Sequence, residues 1–198
     1  MLTTAVFLFL GVVSGAVSGL FGLGGGIVVV PMLVYLFGVG STIQALVISS
    51  IVVVFASLGA LASYEWSYLE SRLKKMTTLL LPAFLAAFFG GAAHHMIART
   101  TVSLALTALL HSLLLLAICV FTEGRDPEST GSYRNGTSPI AGAIIGFVSG
   151  LAAVGGGTYT ITYAVKVAQQ TWRDARMAAQ AMGLIVGLGG TAGFLASY

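Results

Sequence analysis

Charge is what this sequence has least of. Lys, Arg, Asp and Glu make up 8% of its 198 residues, against 57% hydrophobic. A soluble domain carries roughly 25% charged residues, so this chain cannot cover a water-facing surface. With a mean hydropathy of +0.98 it reads as an integral membrane protein. The single cysteine, Cys119, excludes an intramolecular disulfide. Three histidines and no Cys/His pattern at zinc-site spacing leave no metal site, and no cofactor is expected. The basic residues form no cluster interleaved with aromatics, which excludes nucleic acid as a partner. No nucleophile–base pairing and no paired carboxylates fall within the apolar runs, so an enzyme is not expected. The first apolar run has no basic region before it and the pattern continues along the whole chain, so it is not a cleavable signal.

What is present is length of apolar sequence. About 20 apolar residues cross the hydrocarbon core as a helix, and 42–63, 76–97, 101–121 and 177–198 qualify. Regions 4–37 and 139–168 are apolar but interrupted by Gly-Gly-Gly. Orientation follows from the nine basic residues. With loops 64–75, 122–138 and 169–176 in the cytoplasm, eight lie inside and only Arg99 outside, provided that 139–168 enters and returns as a hairpin. The N-terminus then falls outside. Tyr64, Trp66 and Tyr68 fit an aromatic anchor at the inner interface.

The two interrupted regions are copies of each other. Gly15, Ser18, Gly19, Leu20 and Gly24, Gly25, Gly26 superpose on Gly146, Ser149, Gly150, Leu151 and Gly155, Gly156, Gly157; Gly11 matches Gly142. One residue of shift then aligns Ala45 with Ala175. Each copy places glycines four residues apart on one helix face (Gly11, Gly15, Gly19 and Gly142, Gly146, Gly150), where a second backbone can approach closely. Three full crossings separate the copies. An odd number inverts the second relative to the first, as in many secondary transporters. The predicted fold is therefore an all-α membrane protein, a multi-pass helical bundle with two inverted repeats, each starting with a Gly-broken helical hairpin. The first repeat is 1–121, with hairpin 4–37 and helices 42–63, 76–97 and 101–121. Residues 122–138 are a polar cytoplasmic linker. The second, truncated repeat is 139–198, with hairpin 139–168 and helix 177–198.

The run Gly15, Ser18, Gly19, Gly22, Gly24, Gly25, Gly26, Pro31, with its second copy, resembles the TauE/SafE family of sulfite or organosulfonate exporters and related permeases. The resemblance covers most of the chain. It implies a cell (inner) membrane permease whose partners are the lipid bilayer and a small anionic substrate. Family members usually end with a further pair of helices, so a second protomer, as in a homodimer, or a non-transporting scaffold or partner subunit is the alternative. The second copy has Thr162 where the first has Pro31.

In lipid, a break in a helix is tolerated only against protein or a water-filled cavity. A half-helix starting after each break presents unpaired N–H groups and the positive end of its dipole, which suits an oxyanion. The substrate-binding candidates are thus Gly24, Gly25, Gly26, Gly155, Gly156 and Gly157, with Ser49, Gln44 and Gln180 on the following helices as donors. The alternative is that the glycines only make turns and close packing. His111, within an apolar run, is the proton-coupling candidate, or else a neutral interhelical hydrogen-bonding group. His94 and His95 read as an interfacial pair reaching toward headgroups. Arg173, Asp174 and Arg176 read as topology signals. The runs are neither G-x-G-x-x-G with a following acidic residue nor a P-loop, which excludes nucleotide binding.

Overall fold

The computed structural model describes residues 42–98, 138–153 and 155–197, with positions 9, 11, 12, 15, 16, 29, 30, 32 and 33 from the N-terminal region. The first Gly-Gly-Gly run, the helix expected over 101–121 with His111, and all of the 122–138 linker except Ser138 lie outside the described residues. Among those described, the regular elements are all helices: α1 (Thr42–Leu61), α2 (Trp66–Ala98), α3 (Pro139–Ala152), α4 (Gly157–Thr162), continued by a wider π-helical turn (Tyr163–Val167), and α5 (Trp172–Ala196). Three stretches of the described residues are long and apolar enough to cross a membrane: Gln44–Leu61, Trp66–His94 and Trp172–Ala196.

Local chemistry sets the boundaries. Pro139 occupies the first turn of α3, and the Ser138 hydroxyl accepts from the Ala141 N–H at 3.4 Å, a side-chain cap for an otherwise unpaired amide. Thr171 caps α5 in the same way, accepting from Asp174 N–H at 3.3 Å. α1 follows the expected span closely. α2 differs, because its first three turns occupy what reads as the 64–75 loop. Those residues remain helical because Lys74 pairs with Glu70 at 2.7 Å one turn away, while Leu69 and Leu73 pack on the core. The aromatic trio divides. Trp66 is exposed, whereas Tyr64 and Tyr68 stack at 5.9 Å and pack inward.

Small residues let the helices meet backbone to backbone. A side chain at Gly142, Gly146 or Gly150 would overlap the carbonyl oxygens of Leu79, Ala83 and Ala87 respectively. The α3 stripe therefore lies in register along α2, both helices running in the same direction. α5 also runs parallel to α2. A Cβ at Gly189 would sit 2.6 Å from the Phe84 carbonyl, and one at Gly193 would overlap that of Phe88. α1 runs the opposite way along α5, since Ser50 lies 2.8 Å from Thr191, Gly187 faces Val54 and Gly183 faces Ser57. Met76, Leu79, Ala83, Ala87, Met177, Ala181, Met182 and Val186 fill the core between α2 and α5. Outside, Phe55, Leu81, Leu85, Phe89, Ile144, Leu188 and Leu195 are exposed. An exterior that apolar, over a core of alanine, glycine and methionine, suits lipid rather than water.

Candidate functional site

The backbone leaves helical geometry between α3 and α4. Ala153 adopts a left-handed conformation (φ 53°) and returns its N–H to the Ser149 carbonyl, ending α3. Gly155 (φ 81°) and Gly156 (φ 68°) continue the turn, a conformation glycine adopts without strain. Gly157 then opens α4, and its N-cap, Gly156, offers no side chain to the first amides.

This break is buried and level with the middles of two spans. Three residues of α1 at four-residue spacing, Ser49, Val53 and Ser57, are fully buried on the face that meets it. The Ser49 hydroxyl donates to the Ala153 carbonyl at 3.3 Å. Val53 fills the space beside Gly155, where a Cβ would come within 2.5 Å of Cγ1. Ser57 faces Gly183 of α5, and the Gly155 carbonyl lies 3.3 Å from the point where a Cβ of Gly183 would stand. From α3, Ser149 points at Gly156, with Met182 and Val186 of α5 beside it. Within α4, Thr160 donates back to the Gly156 carbonyl at 2.8 Å.

Among the predicted binding residues, the structure brings Gly155, Gly156, Gly157 and Ser49 together. Gln180 is buried on α5, and Gln44 is exposed at the start of α1. Gly24, Gly25, Gly26 and His111 lie outside the described residues. His94 departs from the sequence reading. It is buried, and its Nδ1 lies 2.9 Å from the Leu151 carbonyl near the end of α3. A carbonyl only accepts, so Nδ1 carries the hydrogen. His94 thereby satisfies one of the α3 carbonyls instead of reaching a headgroup, held edge-on against Phe194 at 5.8 Å. Sequence reasoning also missed Ser57. A serine within an apolar run gives no signal of its own. Only its four-residue spacing from Val53 and Ser49 could have shown that the three share a face.

At the other end of the bundle, Asp174 accepts from the Tyr68 hydroxyl and pairs with Arg72 at 3.1 Å, while Arg173 lies over the Tyr68 ring at 4.7 Å. The start of α5 is thus tied to the start of α2. The six described Lys and Arg residues sit at this end, on the first turns of α2 and α5, or exposed at Lys166, away from the break. Among the described residues no group of His, Cys, Asp or Glu is placed to hold a metal ion.

The chain is 27% identical over 168 residues to a "Probable membrane transporter protein" of Haemophilus influenzae, an alignment covering 79% of this chain and 60% of the relative. No solved structure matches. The profile of the family described as "Sulfite exporter TauE/SafE" matches residues 7–198. That family is one of membrane transporters, not of enzymes. The apolar exterior, the three membrane-length helices and a match over nearly the whole sequence lead to one conclusion: this multi-pass membrane chain belongs to the TauE/SafE family.

Proposed function

We propose that the chain is a permease for small anions, sulfite or an organosulfonate, working by alternating access in a cell membrane. The observation that carries the reading is the buried break at 153–156, where hydroxyl groups from α1 and α3 converge on a non-helical backbone. Lipid forbids such a break unless protein or a polar cavity faces it. Its use in transporters is to present backbone groups to a solute near the bilayer midplane.

The proposed architecture is two inverted repeats, 1–121 and 139–198, joined by the 122–138 linker. Several contacts support it. α3 spans about 21 Å at 1.5 Å per residue, too short for a crossing of about 30 Å. The Ser138 N–H, at the beginning of α3, donates to the Tyr163 hydroxyl at 3.4 Å, so the chain after the break comes back toward where α3 began. That return supports the hairpin proposed for the second repeat. The repeat relation has its own support. Val29 and Val30 are α-helical and Met32 and Leu33 π-helical, as are Thr160, Ile161, Tyr163 and Ala164 at the matching positions. Leu33 packs with Ala45 as Ala164 packs with Ala175. α1 and α5, the helices following each hairpin, run antiparallel, as inversion requires.

In this scheme Gly24, Gly25, Gly26 and Gly155, Gly156, Gly157 bring two sets of backbone amides to one oxyanion. Ser49, Gln44 and Gln180 contribute from the next helices, and His111 carries a coupling proton. The N-terminus faces outward and the end bearing Tyr68 and Asp174 faces the cytoplasm. A second protomer is the proposed protein partner in the bilayer.

Efflux from proteoliposomes loaded with sulfite or ethanesulfonate tests the reading, with Gly25→Leu and Gly156→Leu in parallel. Saturable efflux by wild type, lost in both folded variants, is the expected result. Folded wild type without efflux overturns it.

A further inference from the structure

Two hydroxyls at the break are fully buried and have no hydrogen-bond partner among the described residues: Ser57 on α1 and Ser149 on α3. Their neighbours are accounted for. Ser49 donates to Ala153, Ser50 to Val47 and Thr160 to Gly156. Each unpartnered hydroxyl faces a glycine. The Ser149 oxygen lies 3.2 Å from where a Cβ of Gly156 would stand, and the Ser57 oxygen 2.6 Å from that of Gly183. Positive φ explains glycine at 156. Nothing in backbone conformation explains it at 183, inside regular helix. There, glycine lets Ser57 and the Gly155 carbonyl approach the α5 backbone more closely than any side chain would allow. Buried hydroxyls in a membrane bundle are costly unless something bonds them, and here two from different helices flank one peptide.

We infer that Ser57 and Ser149 are the side-chain donors that hold the solute at the break, and that they select a singly charged anion over a dianion. This rests on the transport reading above and adds to it the two residues and the charge. Donors at the site are neutral, and the described Lys and Arg residues stand elsewhere. The cost of desolvating an ion rises with the square of its charge. Neutral hydroxyls and amides therefore suit a singly charged sulfonate or hydrogensulfite far better than a dianion.

Ethanesulfonate and sulfate serve as probes, with thermal unfolding of the purified chain in nanodiscs as readout. A hydroxyl that bonds nothing in the protein is replaced by hydrogen without loss, so Ser57→Ala and Ser149→Ala should unfold at or above the wild-type temperature. The wild type should be stabilised by ethanesulfonate and not by sulfate, and each variant should bind ethanesulfonate about tenfold more weakly or worse. Ser71→Ala, whose exposed hydroxyl only bonds its own helix at Tyr68, should bind as wild type does. Unchanged affinity in both alanine variants overturns the inference and assigns the hydroxyls to fixed water. Lower unfolding temperatures without ligand in the variants also overturn it, because they assign a structural role. So does a wild type that neither probe stabilises, or that sulfate stabilises equally. Flux remains the separate test of transport. Efflux with unaltered binding in the variants removes these donors and keeps the carrier, whereas weakened binding without efflux keeps the donors and removes the carrier.

Discussion

At the scale of single residues, glycine acts in two physically different ways in this chain. Gly146 is needed for space, since a Cβ there would overlap the Ala83 backbone, which cannot step aside as a flexible side chain could. Gly59, in α1, has no described residue within 4 Å of where a Cβ would stand. Gly146→Ala should therefore destabilise by roughly 1–3 kcal/mol through overpacking. Gly59→Ala should be neutral or stabilise by up to about 1 kcal/mol through helix propensity. Unfolding of the two variants in mixed micelles measures the contrast. Ala153 presents the reverse case, a residue with a Cβ held at φ 53°. Ala153→Gly should relieve roughly 1 kcal/mol of left-handed strain, read as a higher unfolding midpoint, and a clearly lower midpoint would contradict the assignment. The spacing of Gly142, Gly146 and Gly150 was legible in the sequence because a periodic stripe is a pattern. The position of Ser57 and the burial of His94 were not. A lone polar residue in an apolar run has the same signature whether it bonds its own helix, as Ser50 does, or faces a neighbour.

At the scale of elements, the helices end where caps and pairs allow, not where hydropathy changes. α2 shows why. Hydropathy begins its apolar run at Met76, but Glu70, Arg72 and Lys74 are good helix formers and extend it back to Trp66. The extension has a use, because it carries Tyr68 and Arg72 to Asp174 at the start of α5. Asp174→Asn should cost roughly 1–3 kcal/mol, because it weakens a charge-assisted hydrogen bond and an ion pair at a buried carboxylate. A double-mutant cycle with Tyr68→Phe should give a coupling energy of roughly 0.5–3 kcal/mol. Strict additivity would mean that the two helices are not tied there. The pairing of α1 with α5 was beyond the sequence altogether, since glycines at 183 and 187 say that something comes close but not what or in which direction. Its register is testable. In a Cys119→Ala background, Ser50→Cys with Thr191→Cys should cross-link under mild oxidation, whereas Ser57→Cys with Thr191→Cys should not.

At the scale of the whole molecule, scarcity of charge decides the environment, and the family profile over residues 7–198 agrees with the membrane reading. The proposal that two inverted repeats share one anion site depends on two buried breaks working as a unit. The second is described in detail, with its hydroxyls, its two left-handed glycines and its place level with the middles of α1 and α5. The measurement that tests this most directly is counterflow. Proteoliposomes are loaded with excess unlabelled ethanesulfonate, and uptake of a trace of labelled ethanesulfonate is followed. A carrier whose single site faces each side in turn gives a transient accumulation of label above equilibrium, and that overshoot is the expected result. Label that only rises to equilibrium, as through a channel, or that never enters although the protein is folded, would contradict alternating access at this site.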